Sequence, residues 1–159
     1  MQSDLLLAMV LLWATSFVLA LMLRLDWVAR VGIVAGCLVG AVYSVLGWVH
    51  PPSTVSLHLS LADTAVWFQL DNAALWLLFF GLLPALFAAG LGTASASPDS
   101  KRYWLAGLAA TLLGALGVFG LQDTMSFLIA WEVMSLGGAA MILGERLSAD
   151  RDGPTLFML

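Results

Sequence analysis

Five long apolar runs divide the chain, at about residues 5–23, 31–49, 72–94, 103–121 and 123–144. About twenty helical residues at 1.5 Å each cover the roughly 30 Å hydrocarbon core of a bilayer, so each run predicts a transmembrane helix. Between the second and third runs the pattern changes. Pro51 and Pro52 stop a helix, and from Val55 the period becomes two. Val55, Leu57, Leu59 and Leu61 alternate with Ser56, His58 and Ser60, which reads as a strand with one apolar face. Ala62 to Thr64 reads as a turn and Val66 to Leu70 as the returning strand, giving a short β-hairpin over about 53–70. Only Gln122 and Asp123 separate the last two runs, so these should form a tight antiparallel helix pair. After residue 144 the chain turns polar, and Thr155 to Leu159 resembles the start of a sixth helix. The expected fold is an all-α integral membrane protein of five helices in one membrane domain, with the hairpin between helices two and three.

Composition strengthens this reading. The 159 residues are 62% hydrophobic with a mean hydropathy of +0.99, more apolar side chain than a soluble domain of this length can bury. No basic run points to nucleic acid, and the net charge is −4. The one cysteine, Cys37, falls inside an apolar run and can make neither an intrachain disulfide nor a metal site alone. The first run lacks a preceding basic segment, so it reads as a retained span rather than a cleaved signal.

The cationic residues give an orientation. Arg24 and Arg30 follow the first run, Lys101 and Arg102 the third, and Arg146 and Arg151 the fifth. All six therefore fall on one side, which the positive-inside rule makes cytoplasmic. The N-terminus and the hairpin are then expected outside and the C-terminus inside.

Small residues mark the expected contacts. Gly32, Gly36, Gly40 and Ser44 recur every fourth position and form a groove for close approach of another helix. Gly107, Gly114, Gly117 and Gly120 do the same for the fourth run. Pro84 sits inside the third run, where a kink is expected, and Asp71 is placed to cap that helix.

One residue stands out chemically. Of the six Lys and Arg and ten Asp and Glu, only Glu132 is mid-span. It lies nine residues past Asp123, about 13.5 Å along a helix and near the bilayer centre. A charge there costs roughly 2.5–3.5 kcal/mol on insertion scales, which marks it as a functional candidate. The plain alternative is a protonated Glu132 hydrogen-bonded to a neighbouring helix, serving assembly only. Leu128, Ser135 and Ala139 share its helix face, which becomes small and polar on one side. His50 and His58 lie at the membrane edge, and neither has an acidic or cysteine partner nearby in sequence that would mark a metal or proton site.

The stretch Phe127 to Leu136, FLIAWEVMSL, resembles the fifth-helix signature of antiporter-like proton-channel subunits. These occur in respiratory complex I, in Mrp-type sodium/proton antiporters and in membrane-bound energy-converting hydrogenases. The Met134-Ser135-Leu136 ending and the long hairpin favour the hydrogenase or formate hydrogenlyase branch. The resemblance implies an outward N-terminus, an external hairpin after helix two, and an Asp opening helix three, matched by Asp71. It implies that Glu132 pairs with a lysine on a later helix and that further lysines relay protons. Ser135, Asp71 and His58 are then candidate supporting residues. Family members run to about fourteen helices, and the lysine helices have no counterpart here. The chain reads as one piece of a split subunit, a truncated chain, or a reduced scaffold. The resemblance also implies a bacterial inner membrane, partner membrane subunits including one that supplies intramembrane lysines, and protons or Na+ as the moving ion. Any iron–sulfur or nickel–iron centre would belong to partners, with no cofactor in this chain.

Three readings follow: a proton-translocating subunit with Glu132 as its loading carboxylate, a non-conducting assembly subunit, or a small independent transporter. The last is disfavoured because a solute path needs more than one polar station. An enzyme site lacks its elements: the sequence offers no nucleophile–base pair, ligand cluster or phosphate loop.

Overall fold

A computed structural model describes residues 2–50, 55–59, 64–91 and 98–156, with side chains described for 2–50, 66–90 and 98–145. In chain order the elements are α1 (Gln2–Leu21), α2 (Asp26–Val49), β1 (Val55–Leu59), β2 (Thr64–Phe68), α3 (Asn72–Leu91), α4 (Pro98–Gly120) and α5 (Thr124–Leu156). Five stretches are long and apolar enough to cross a membrane: Gln2–Leu21, Asp26–Val49, Asn72–Gly90, Pro98–Gly120 and Thr124–Glu145. The protein is therefore a nearly all-helical, multi-pass membrane protein.

Several element ends differ from the sequence expectation, each for a local reason. Asp26 to Arg30 reads as a charged turn but forms the first turn of α2, where the acid at Asp26 suits the positive end of the helix dipole. The reversal between α1 and α2 is correspondingly tight. Arg24 takes a left-handed φ of 55°, and the Leu25 N–H reaches back to the Leu19 carbonyl at 3.1 Å. Pro98 and Asp99 read as linker but open α4, because proline fits a first helical turn, whose N–H groups lack partners anyway, and an acid there meets the dipole. Thr64 reads as turn but begins β2, opposite Leu59. Residues 145–156 continue α5 as helix, so Thr155 and Leu156 end that element; 157–159 lie outside the described residues, as do 60–63, which hold most of the expected turn at Ala62–Thr64, and 92–97.

Sequence-adjacent helices pair, and α4 also packs against α1 and, more lightly, α2. The stripe on α2 is filled from within the chain. A Cβ at Gly32 would strike the Ser16 hydroxyl and one at Gly36 the Trp13 indole, both on α1. At Gly40 it would lie 2.8 Å from Met9 Sδ and 2.9 Å from Leu82 Cδ1 of α3. Met9 and Trp13 are thereby fully buried. Ser16 and Ser44, also fully buried, donate to the Leu12 and Gly40 carbonyls one turn back, at 2.6 and 2.9 Å. This satisfies hydroxyls that would be costly bare in an apolar interior.

The α4–α5 pair is closer still. A Cβ at Gly107 would stand 2.6 Å from the Gly137 carbonyl oxygen, and one at Gly137 would meet the Thr111 backbone N at 2.6 Å. Here backbone meets backbone, which only small residues permit. At one end of this pair Ser100 Oγ donates to the Gly144 carbonyl at 2.6 Å. At the other, β2 grips the turn. Phe68 bridges Leu121, the Gln69 N–H donates to the Gly120 carbonyl at 2.8 Å, and the Gln122 N–H donates to the Trp67 carbonyl at 3.0 Å. The Asp123 carboxylate then caps α5 by accepting the Ser126 N–H at 2.8 Å, which holds its pKa below the usual 3.8.

β1 and β2 pair antiparallel, from Val55 opposite Phe68 to Leu59 opposite Thr64. α3 runs unbroken through Pro84, which lines an apolar cleft of about 290 Å³ between α3 and α4.

Candidate functional site

Glu132 occupies the middle of the membrane-length part of α5. The helix turns its two sides to different surroundings. Ala130, Met134, Gly137, Met141 and Gly144 follow one another at three- and four-residue spacing and form the seam against α4. Glu132 is off that seam and exposed, together with Leu128, Ser135, Leu136 and Ala139. Ile129 and Leu136 are 60% and 67% exposed. No described residue gives Glu132 a hydrogen bond or an ion pair.

The uncovered side of α5 is thus an apolar surface interrupted by one carboxyl and the hydroxyl of Ser135, one turn further on. Trp131 flanks the carboxyl position, its ring 6.1 Å from that of Phe127. The arrangement presents one acidic group on a surface that is otherwise apolar.

The other candidates are elsewhere. Asp71 is the N-cap of α3, accepting the Ala74 N–H at 2.7 Å, and belongs to the end of the protein that carries the strands. His58 lies in β1 opposite Ala65. His50 is exposed at the end of α2, and its carbonyl accepts the Gln2 side-chain amide at 2.7 Å. Ser135 alone shares a face with Glu132. Among the described residues no group of three His, Cys, Asp or Glu side chains is placed to hold a metal.

Two features escape sequence reading. One is the α5 seam itself, whose Gly137 and Gly144 carry no fixed four-residue stripe. The other is an apolar cleft of about 400 Å³ bounded by α1, α4 and α5, with Phe17, Leu21, Tyr103 and Leu143 among its walls. It gathers residues from three separate helices, and no local pattern announces it.

Comparison with protein-family models, curated proteins and solved structures finds no match to this chain.

Proposed function

We propose that this chain is a subunit of a proton- or sodium-translocating membrane complex of the antiporter-like kind, with Glu132 as its mid-membrane proton-loading carboxylate. The observation that carries the reading is the position of Glu132: the one mid-span acid, on the side of α5 that the other described residues leave uncovered. An intramembrane acid is costly, and one that merely held these five helices together would face α4. The FLIAWEVMSL stretch supports the hydrogenase-type branch and a bacterial inner membrane. The facing helix supplies a cation. When that cation is near, Glu132 ionises and releases its proton; when it withdraws, the carboxyl reloads.

Arg24 and Arg30 lie around the α1–α2 reversal, Lys101 and Arg102 near the start of α4, and Arg146 and Arg151 beyond the membrane-length part of α5, so all six Lys and Arg fall on one side of the spans. The positive-inside rule sets that end in the cytoplasm, with the N-terminus and a β1–β2 hairpin outside. A reporter fused after Leu159 should be cytoplasmic.

The test is Glu132→Gln in the assembled complex, reconstituted in vesicles with a pH-sensitive dye. Proton uptake should fall by about tenfold or more, with partial activity in Glu132→Asp. Unchanged uptake in Glu132→Gln sinks the proposal and favours a non-conducting assembly subunit. The glycine stripe on α2 does not favour that second reading, because α1 of the same chain fills the groove.

A further inference from the structure

One end of the cleft bounded by α1, α4 and α5, at Leu21, Tyr103 and Leu143, lies at the end of the bundle where cations collect. Tyr103 forms part of its wall, and the Arg102 guanidinium lies over the Tyr103 ring, 5.5 Å from its centroid. Lys101 precedes it, and Arg30 at the start of α2 belongs to the same group. All three cations act electrostatically on one carboxylate, Asp26. Asp99 and Glu145 are the other acids at this end with described side chains. Among the described residues neither Lys101 nor Arg102 is hydrogen-bonded or ion-paired, and the Arg102 Nε is buried without a partner.

The cleft itself is almost wholly apolar. Its walls include Phe17 and Leu21 of α1, Tyr103 and Ala106 of α4, and Leu136 and Leu143 of α5. From Val133 to Leu143 it extends along α5 for roughly 15 Å at 1.5 Å per residue. Tyr103 carries the one polar side-chain group among these lining residues. The combination is therefore a long apolar slot with a cationic group beside one end.

We infer that this cleft holds an anionic phospholipid, with its phosphate at Lys101 and Arg102 and one acyl chain lying between α1 and α5 against α4. Charge complementarity selects the headgroup, because a zwitterionic lipid carries its own cation and gains less beside two more. The apolar walls select a lipid over free phosphate, which would find no use for the slot. Among the described residues α5 packs mainly on α4, so an acyl chain wedged between α5 and α1 supplies a second side contact. This site is distinct from Glu132, which does not line the cleft, and it stands or falls independently of ion transport.

The experiment is native mass spectrometry of the full chain in mild detergent, titrated separately with phosphatidylglycerol and phosphatidylcholine of equal chain length. Phosphatidylglycerol should be retained preferentially, at one molecule per chain. Lys101→Gln with Arg102→Gln should reduce its retention by about tenfold or more and leave phosphatidylcholine retention unchanged. Ala106→Phe should obstruct the slot and reduce retention with both cations intact. Thermal unfolding without added lipid shows whether each variant folds, and Ala106→Leu replaces Ala106→Phe if the larger side chain prevents folding. Equal retention of the two lipids overturns the inference. So does displacement of phosphatidylglycerol by inorganic phosphate alone, or a protein segment found occupying the slot in the purified complex.

Discussion

The α1–α2 contact and α5 use small residues to opposite ends. On α2, glycines at every fourth position receive Trp13, Met9 and Leu82, and the stripe is consumed inside the chain. On α5, Gly137 and Gly144 bring the helix onto α4, and the side bearing Glu132 is left bare. A small-residue stripe therefore says that some helix comes close, not that a different protein does. The informative sign of an outside partner is a costly polar group on a side that the stripe does not serve.

That contrast can be broken at its strongest point by filling the backbone contact. Gly137→Leu must displace α4 backbone atoms, and overpacking of this kind costs about 1–3 kcal/mol or more. It should lower the thermal unfolding midpoint in detergent further than Gly36→Leu, Asp71→Ala or Asp123→Asn. Gly36→Leu pushes on the Trp13 indole rather than on backbone, so it should destabilise within the same range but less than Gly137→Leu. The reverse order would show that the α2 stripe is the tighter interface.

Next is Asp71→Ala, which removes the acceptor for the Ala74 N–H and should cost about 1 kcal/mol, with Asp71→Asn close to wild type. Glu132→Leu sharpens the other half of the comparison. Because Glu132 has no hydrogen bond or ion pair among the described residues, the isolated protein should unfold at or slightly above the wild-type midpoint. A clear drop would mean that Glu132 holds this chain together.

The smallest effect concerns acid. The pKa of Asp123 is lowered first by the Ser126 N–H that it accepts. A depressed carboxyl contributes stability that is fully present above its unfolded value, near 3.8, and is lost as pH falls through the folded value. Unfolding midpoints of wild type and Asp123→Asn should therefore converge as the pH is taken down through that window. Parallel curves would exclude the cap as their source.

The five spans and the closeness of α4 to α5 were legible because a bilayer demands long apolar runs and because Gly107, Gly114 and Gly117 sit where backbones must meet. Glu132 was legible by its cost. Its direction was not, since that depends on which of two apolar sides of α5 meets α4, and Ala130, Met134 and Met141 look no different in sequence from Leu128 and Leu136. Element ends at Asp26, Thr64 and Pro98 were misplaced where charge and turn composition suggested a loop but dipole, ladder pairing or proline geometry favoured a regular element. The α1–α4–α5 cleft could not be read at all, being a product of three helices meeting.

Ser100 ties one end of the membrane-length part of α5 to α4, and the Leu121–Phe68 bridge ties the turn at its other end to β2. Between them the contacts of Gly114 with Met134 and of Gly107 with Gly137 seat the helix on α4 along its length. The level of Glu132 along the bundle is therefore fixed by the seam on the opposite side of its own helix, not by whatever the carboxyl faces.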